Sequence, residues 1–142
     1  MRTMFTLALI GLFGAAASPA AQAEEHEGPH KGIVVEWGEE EYHAEIVVDA
    51  KAGTVAVYIY GDDKSLMKGK GMPIAAKSLT LTIKGEKSTT IKLDPAPEKG
   101  DPEGTASKFT GKHELFTKEG KLMGTLGAKI GAKPYSGDFK QK

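Results

Sequence analysis

Apolar side chains recur at every second position in four separate runs, and no other feature restricts the fold of this chain as tightly. Tyr42, Ala44, Ile46 and Val48 form the first run, with His43, Glu45, Val47 and Asp49 on the opposite face. Val55, Val57 and Ile59 repeat the pattern, followed by Leu79, Leu81 and Ile83, then by Ile91 and Leu93. A period of two puts alternate side chains on one face of a pleated strand, so each run reads as a strand with one face on a core and the other toward water. Val, Ile and Thr crowd these runs because stiff, branched side chains suit a pleated surface.

The punctuation between runs agrees. Gly38-Glu39-Glu40, Ala52-Gly53, Gly61-Asp62-Asp63 and Gly85-Glu86-Lys87 are turn signals. Pro95, Pro97 and Pro102, with Gly100 and Gly104, mark residues 94–106 as a long exposed loop, since proline lacks the N–H that a central strand donates. The last strands are expected at Leu126–Ile130 and Tyr135–Phe139. The stretch around His113–Lys118 reads either as one short helix or as a crossover between sheets. The expected fold is therefore all-β: an antiparallel β-sandwich, immunoglobulin-like, or a partly open barrel, with at most one short helix. There is no cysteine, so neither disulfides nor thiolate metal sites enter the argument.

The first 23 residues read differently. Arg2 is followed by an uncharged stretch from Met4 to Ala17, then by Ser18-Pro19 and by small residues at Ala21-Gln22-Ala23. This is the pattern of a cleavable secretory signal peptide, and the apolar core is shorter than the roughly 20 residues a spanning helix needs. Cleavage after Ala23 is expected to leave a flexible acidic and histidine-bearing segment, 24–31, ahead of a single domain, 32–142. Cleavage after Ala20 is the weaker alternative. The expected location is periplasmic or secreted, with no membrane insertion after cleavage.

Charge is balanced overall but divided along the chain. Glu24 to Asp63 holds eleven acidic residues against Lys31 and Lys51, whereas Lys64 onward holds sixteen lysines against eight acidic residues. Beyond Arg2 the basic residues are all lysine, without interleaved aromatics, which argues against nucleic-acid binding.

Metal-ligating residue types gather near the expected new N-terminus, in Glu24-Glu25-His26-Glu27-Gly28-Pro29-His30. With Glu24 first, the free amine, two deprotonated amides and the His26 imidazole form a square of four nitrogens suited to Cu(II) or Ni(II). His26 and His30, with Glu24, Glu25 and Glu27, also suit Zn(II) or Cu(II) without the amine. His43 is a further candidate on the second strand, with Glu36 and Glu45 as supporting carboxylates. A four-residue loop at Gly38–Glu41 sets Glu36 opposite His43. A cross-strand polar pair is the simpler reading of that trio. Met67 and Met72 flank a Lys-Gly-Lys-Gly stretch and would suit Cu(I), although methionines commonly fill gaps in packing. Trp37 is expected in the core or at its rim, and His113 has no assigned role. No phosphate-binding glycine loop, nucleophile elbow or H-E-x-x-H helix is present, so no catalytic residues and no enzymatic activity are expected.

Gly28-Pro29-His30-Lys31-Gly32-Ile33-Val34-Val35-Glu36, then Gly38, Glu41-Tyr42-His43-Ala44-Glu45 and Gly53-Thr54-Val55, resembles a group of small exported bacterial proteins. Their signature is Gly-Pro-His-Gly-Gly, followed by a strand, a turn and a Tyr-His-Ala-Glu type strand. Gly100-Asp101-Pro102-Glu103-Gly104 with Ser107-Lys108-Phe109 fits the same group, and a similar opening occurs near the start of periplasmic adaptor subunits of heavy-metal efflux pumps. Lys31 stands where the pattern has its first glycine after His30. Carried over residue by residue, the resemblance supports only His30 and His43 as matching positions. The expectation is a periplasmic protein that binds a transition metal, copper first and Ni(II) or Zn(II) next, for buffering or delivery, with an envelope protein or metal-efflux component as a partner. The alternative is a non-catalytic protein–protein interaction module of the cell envelope, without metal.

Overall fold

The computed structural model describes residues 27–118 and 120–141; the expected signal peptide lies outside them. Eight strands run in chain order: β1 (Ile33–Trp37), β2 (Tyr42–Asp49), β3 (Thr54–Tyr60), β4 (Leu79–Ile83), β5 (Thr89–Pro95), β6 (Lys108–Lys112), β7 (Met123–Ile130) and β8 (Lys133–Lys140). They form one antiparallel sheet in the order β1-β2-β3-β6-β5-β4-β7-β8. Among the described residues there is one α-helix, α1 (Asp63–Lys68), between β3 and β4, and one 3₁₀ turn at Glu114–Thr117. Among the described residues, no helix is long and apolar enough to cross a membrane.

The sheet curls until its outer strands meet, giving a nearly closed barrel. β8 lies against β1 at close range, since a Cβ on Gly137 would fall 2.6 Å from Val35 Cγ1 and 2.7 Å from the Glu36 carbonyl oxygen. Only a residue without a side chain permits that approach. Trp37 ties the same seam, its indole N–H donating to the Leu126 carbonyl at 3.0 Å. On the other side the two halves join through a short pairing of Asp94 with Thr110 and Pro95 with Phe109. Of the two expected architectures, the barrel is the one observed.

The alternating positions fill the interior as their spacing requires. Ala44, Ile46, Val55, Val57, Ile59, Leu79, Leu81, Ile83, Ile91 and Leu93 are all buried in one core with Trp37, Phe109 and Leu126. Trp37 is wholly enclosed. The expected loop at 94–106 begins slightly later, because β5 continues through Pro95 at its end. The 3₁₀ turn falls where a short helix was expected, and His113 caps it, its Nδ1 accepting from Leu115 N at 3.1 Å. The helix α1 lies where the sequence showed a turn signal. Asp62 caps it by accepting from Ser65 N at 2.9 Å, and Gly69 ends it at φ 66°.

Candidate functional site

The first half of the polar face of β2 does not meet water. His43 and Glu45 are both fully buried, although alternation directs them away from the core. Two segments cover them from outside. The turn at residues 28–32 lies over Glu45, and the stretch that carries α1 lies over His43. The two covers touch, with Pro29 beside Gly69. Antiparallel register places Tyr60 opposite His43 and Tyr58 opposite Glu45, so two tyrosines share this outer face.

Glu45 organises the site. Its Oε1 accepts from His30 N at 2.7 Å and Gly32 N at 2.9 Å, while Oε2 lies 2.9 Å from His30 Nδ1 and accepts from the Tyr60 hydroxyl at 3.1 Å. The chain can wrap this closely because Gly28 and Gly32 have no side chains: a Cβ on Gly28 would sit 2.2 Å from Glu45 Cδ, and one on Gly32 would sit 2.5 Å from the Ile46 carbonyl oxygen. Lys31 N closes the turn on the Gly28 carbonyl at 2.9 Å. Lys31 itself has φ 59°, the left-handed region that favours glycine. Residues 28–31, expected within a flexible lead-in, are thus folded onto β2.

The arrangement fixes the chemistry of His30. A carboxylate only accepts, so Nδ1 carries the proton and Nε2 is left with a lone pair in the neutral ring. The ring stacks on Tyr58, centroids 4.0 Å apart and planes within 12°, and its side chain is 43% exposed. Burial, then the negative charge of Glu45, drives the Tyr60 phenol far above its usual range, so Tyr60 remains a donor. A cavity of about 500 Å³ opens beside His30, between the chain at Gly69–Pro73 and the loop at Glu98–Asp101. The loop is latched: Asp101 accepts from Glu98 N, Ser107 N and the Ser107 hydroxyl at 2.8 to 2.9 Å through Oδ2. Burial pushes the Asp101 carboxyl up, but these hydrogen bonds outweigh it and hold the group below its ordinary value.

Of the expected ligands, His30 and His43 lie among the described residues, and they do not converge. His30 and Glu45 meet, and Glu36 stands opposite His43 in the ladder as anticipated. However, Glu36 is exposed, while the ring of His43 turns to the other cover. His43 Nδ1 donates to the Gly61 carbonyl at 2.7 Å, and Nε2 lies 3.0 Å from Asp63 Oδ1. That second contact has the distance of an ion pair without the angle of a hydrogen bond. Glu24 and His26 lie outside the described residues. Among the described residues, no three His, Asp or Glu side chains are grouped to hold a metal ion. Met67 is 83% exposed on α1. The sequence reading missed Tyr58, Tyr60, Asp63 and Asp101. The two tyrosines were accessible to it, because the Asp49–Thr54 hairpin carries them into register with Glu45 and His43. Comparison with known proteins finds no family model, no curated protein and no solved structure that matches the chain.

Proposed function

We propose that this is an exported transition-metal-binding protein, with copper as the first choice, in which His30 is the ligand supplied by the folded domain. One observation carries the reading: Glu45 holds Nδ1 of His30 and leaves Nε2 as the lone-pair nitrogen of a ring that is fixed in plane by Tyr58. A ligating imidazole whose other nitrogen donates to a carboxylate is the usual support for a metal-bound histidine. His26, four residues earlier, with Glu24, Glu25 and Glu27 beside it, supplies the further donors. On this reading the metal is held at the head of the domain and Glu45 has a supporting role. His43 takes no part. The resemblance to small exported proteins points the same way through His30. The role is buffering or delivery, and no catalytic step is proposed.

The test is calorimetric titration of Cu(II), Ni(II) and Zn(II) into the processed protein after its N-terminus has been sequenced. Near-stoichiometric binding with proton release is expected, falling sharply in His26→Ala and His30→Ala. Binding that is unchanged in both variants, or absent from the parent, overturns the proposal.

A further inference from the structure

The two ends of the barrel differ in charge, and the strand register shows it. The 38–41 loop, the 61–78 segment and the 96–107 loop lie at one end; the 50–53 turn, the 84–88 turn and the 113–122 segment lie at the other. The three segments of the first end carry eight carboxylates, five of them at Glu39, Glu40, Glu41, Asp62 and Asp63, against five lysines. The second carries Lys51, Lys84, Lys87, Lys112, Lys118 and Lys121 against Asp49, Glu86 and Glu114 among the described residues. The first end is therefore net acidic and the second net basic, with lysines present at both.

A cavity of about 300 Å³ opens in the basic end. Lys84, Lys87, Lys118 and Lys121 stand around it, and Glu86 is the one carboxylate among its described lining residues. Ile83, Leu115 and Leu122 line it as well. Ile83 belongs to the core, Leu115 and Leu122 pack against it, and Met123 beside them is 43% exposed.

We propose that this end docks on an anionic phospholipid surface, with the lysines on lipid phosphates and an apolar centre of Met123 and the half-buried Leu115 and Leu122 against the acyl boundary. Lysine suits that role: its ammonium is a compact charge on a flexible apolar stem that can lie along apolar surface while the head reaches a phosphate. A free inorganic anion gains nothing from the apolar centre, whereas an amphiphilic surface uses both parts. A nucleic acid is a poorer fit, since the described residues contain no arginine and the cavity has no aromatic lining. The cavity beside His30 lies toward the other end, between Gly69–Pro73 and Glu98–Asp101, so docking leaves it open.

The experiment is co-sedimentation of the processed protein with vesicles of phosphatidylcholine alone, or of phosphatidylcholine with phosphatidylglycerol, at low and physiological salt. Binding is expected only to the anionic vesicles, weakening as salt rises. Replacing Lys84, Lys87, Lys118 and Lys121 by Gln should lower the partition about fivefold per lysine, from about 1 kcal/mol each near an anionic surface. The same change at Lys64, Lys68, Lys70 and Lys77 should leave it within about twofold. Met123→Gln should weaken binding without altering charge. Thermal unfolding of every variant establishes that it folds. Absence of binding to anionic vesicles, equal loss in both lysine sets, full displacement by inorganic phosphate, or tighter capture by single-stranded DNA overturns the proposal. None of these outcomes depends on whether His30 binds a metal.

Discussion

Replacing Glu45 probes both the fold of the N-terminal turn and the chemistry of His30. Four donors converge on its carboxylate: His30 N, Gly32 N, His30 Nδ1 and the Tyr60 hydroxyl. Hydrogen bonds to a charged group contribute about 1.5–3 kcal/mol each, so four represent about 6–12 kcal/mol gross. Desolvation of a buried carboxylate offsets several kcal/mol of that. Glu45→Ala should therefore cost about 3–5 kcal/mol, the range for breaking one side of a buried polar pair. In a chain of this size that corresponds to roughly 4 °C in Tm per kcal/mol. Glu45→Gln is more informative. Its amide oxygen can still accept from His30 N and Gly32 N, while its NH₂ takes the place of Oε2 and faces two former donors. His30 answers by changing tautomer, so that Nδ1 accepts and Nε2 carries the proton. The stability loss shrinks to about 1–3 kcal/mol, but the lone pair has left Nε2. Metal affinity should fall about 10–100-fold, as for loss of other such supporting carboxylates. Urea unfolding gives the first quantity and calorimetry the second, with the ring tautomer read from ¹⁵N shifts of His30. A Glu45→Ala protein within 0.5 kcal/mol of the parent, on the mutational scale expected for an unimportant surface site, would refute the argument that this carboxylate holds the turn.

Lys31→Gly should stabilise the protein by about 0.5–1 kcal/mol, because φ 59° strains any residue with a Cβ there; denaturant midpoints at constant m-value measure it. For Asp101 the folded carboxyl titrates below its ordinary value, so its contribution is complete above the unfolded pKa near ~3.9 and disappears as pH falls through the lower folded value. Asp101→Asn should accordingly lower stability at neutral pH and lose that difference in strong acid. Unfolding curves across the acid range check this, and a difference constant with pH would contradict it.

The residues themselves determined the strand content, because alternation allows Val55, Val57 and Ile59, or Leu79, Leu81 and Ile83, no other arrangement that buries them together. The Glu36–His43 pairing was also legible, since a four-residue loop leaves only one register between β1 and β2. Local pattern could not decide whether the sheet would split into a sandwich or curl into a barrel. That depends on β8 reaching β1 at Gly137, a contact about a hundred residues apart in sequence. The same limit governed the site. Alternation sent His43 and Glu45 toward water, and only the folded chain shows what covers them: residues 28–32 and the stretch around α1. Burial of a carboxylate is tolerable when donors surround it, and those donors come from two separate stretches, His30 with Gly32 and Tyr60. The sequence determined which residues had the chemistry. Tertiary structure decided which of them share a site, joining His30 to Glu45 and assigning His43 to Gly61 and Asp63.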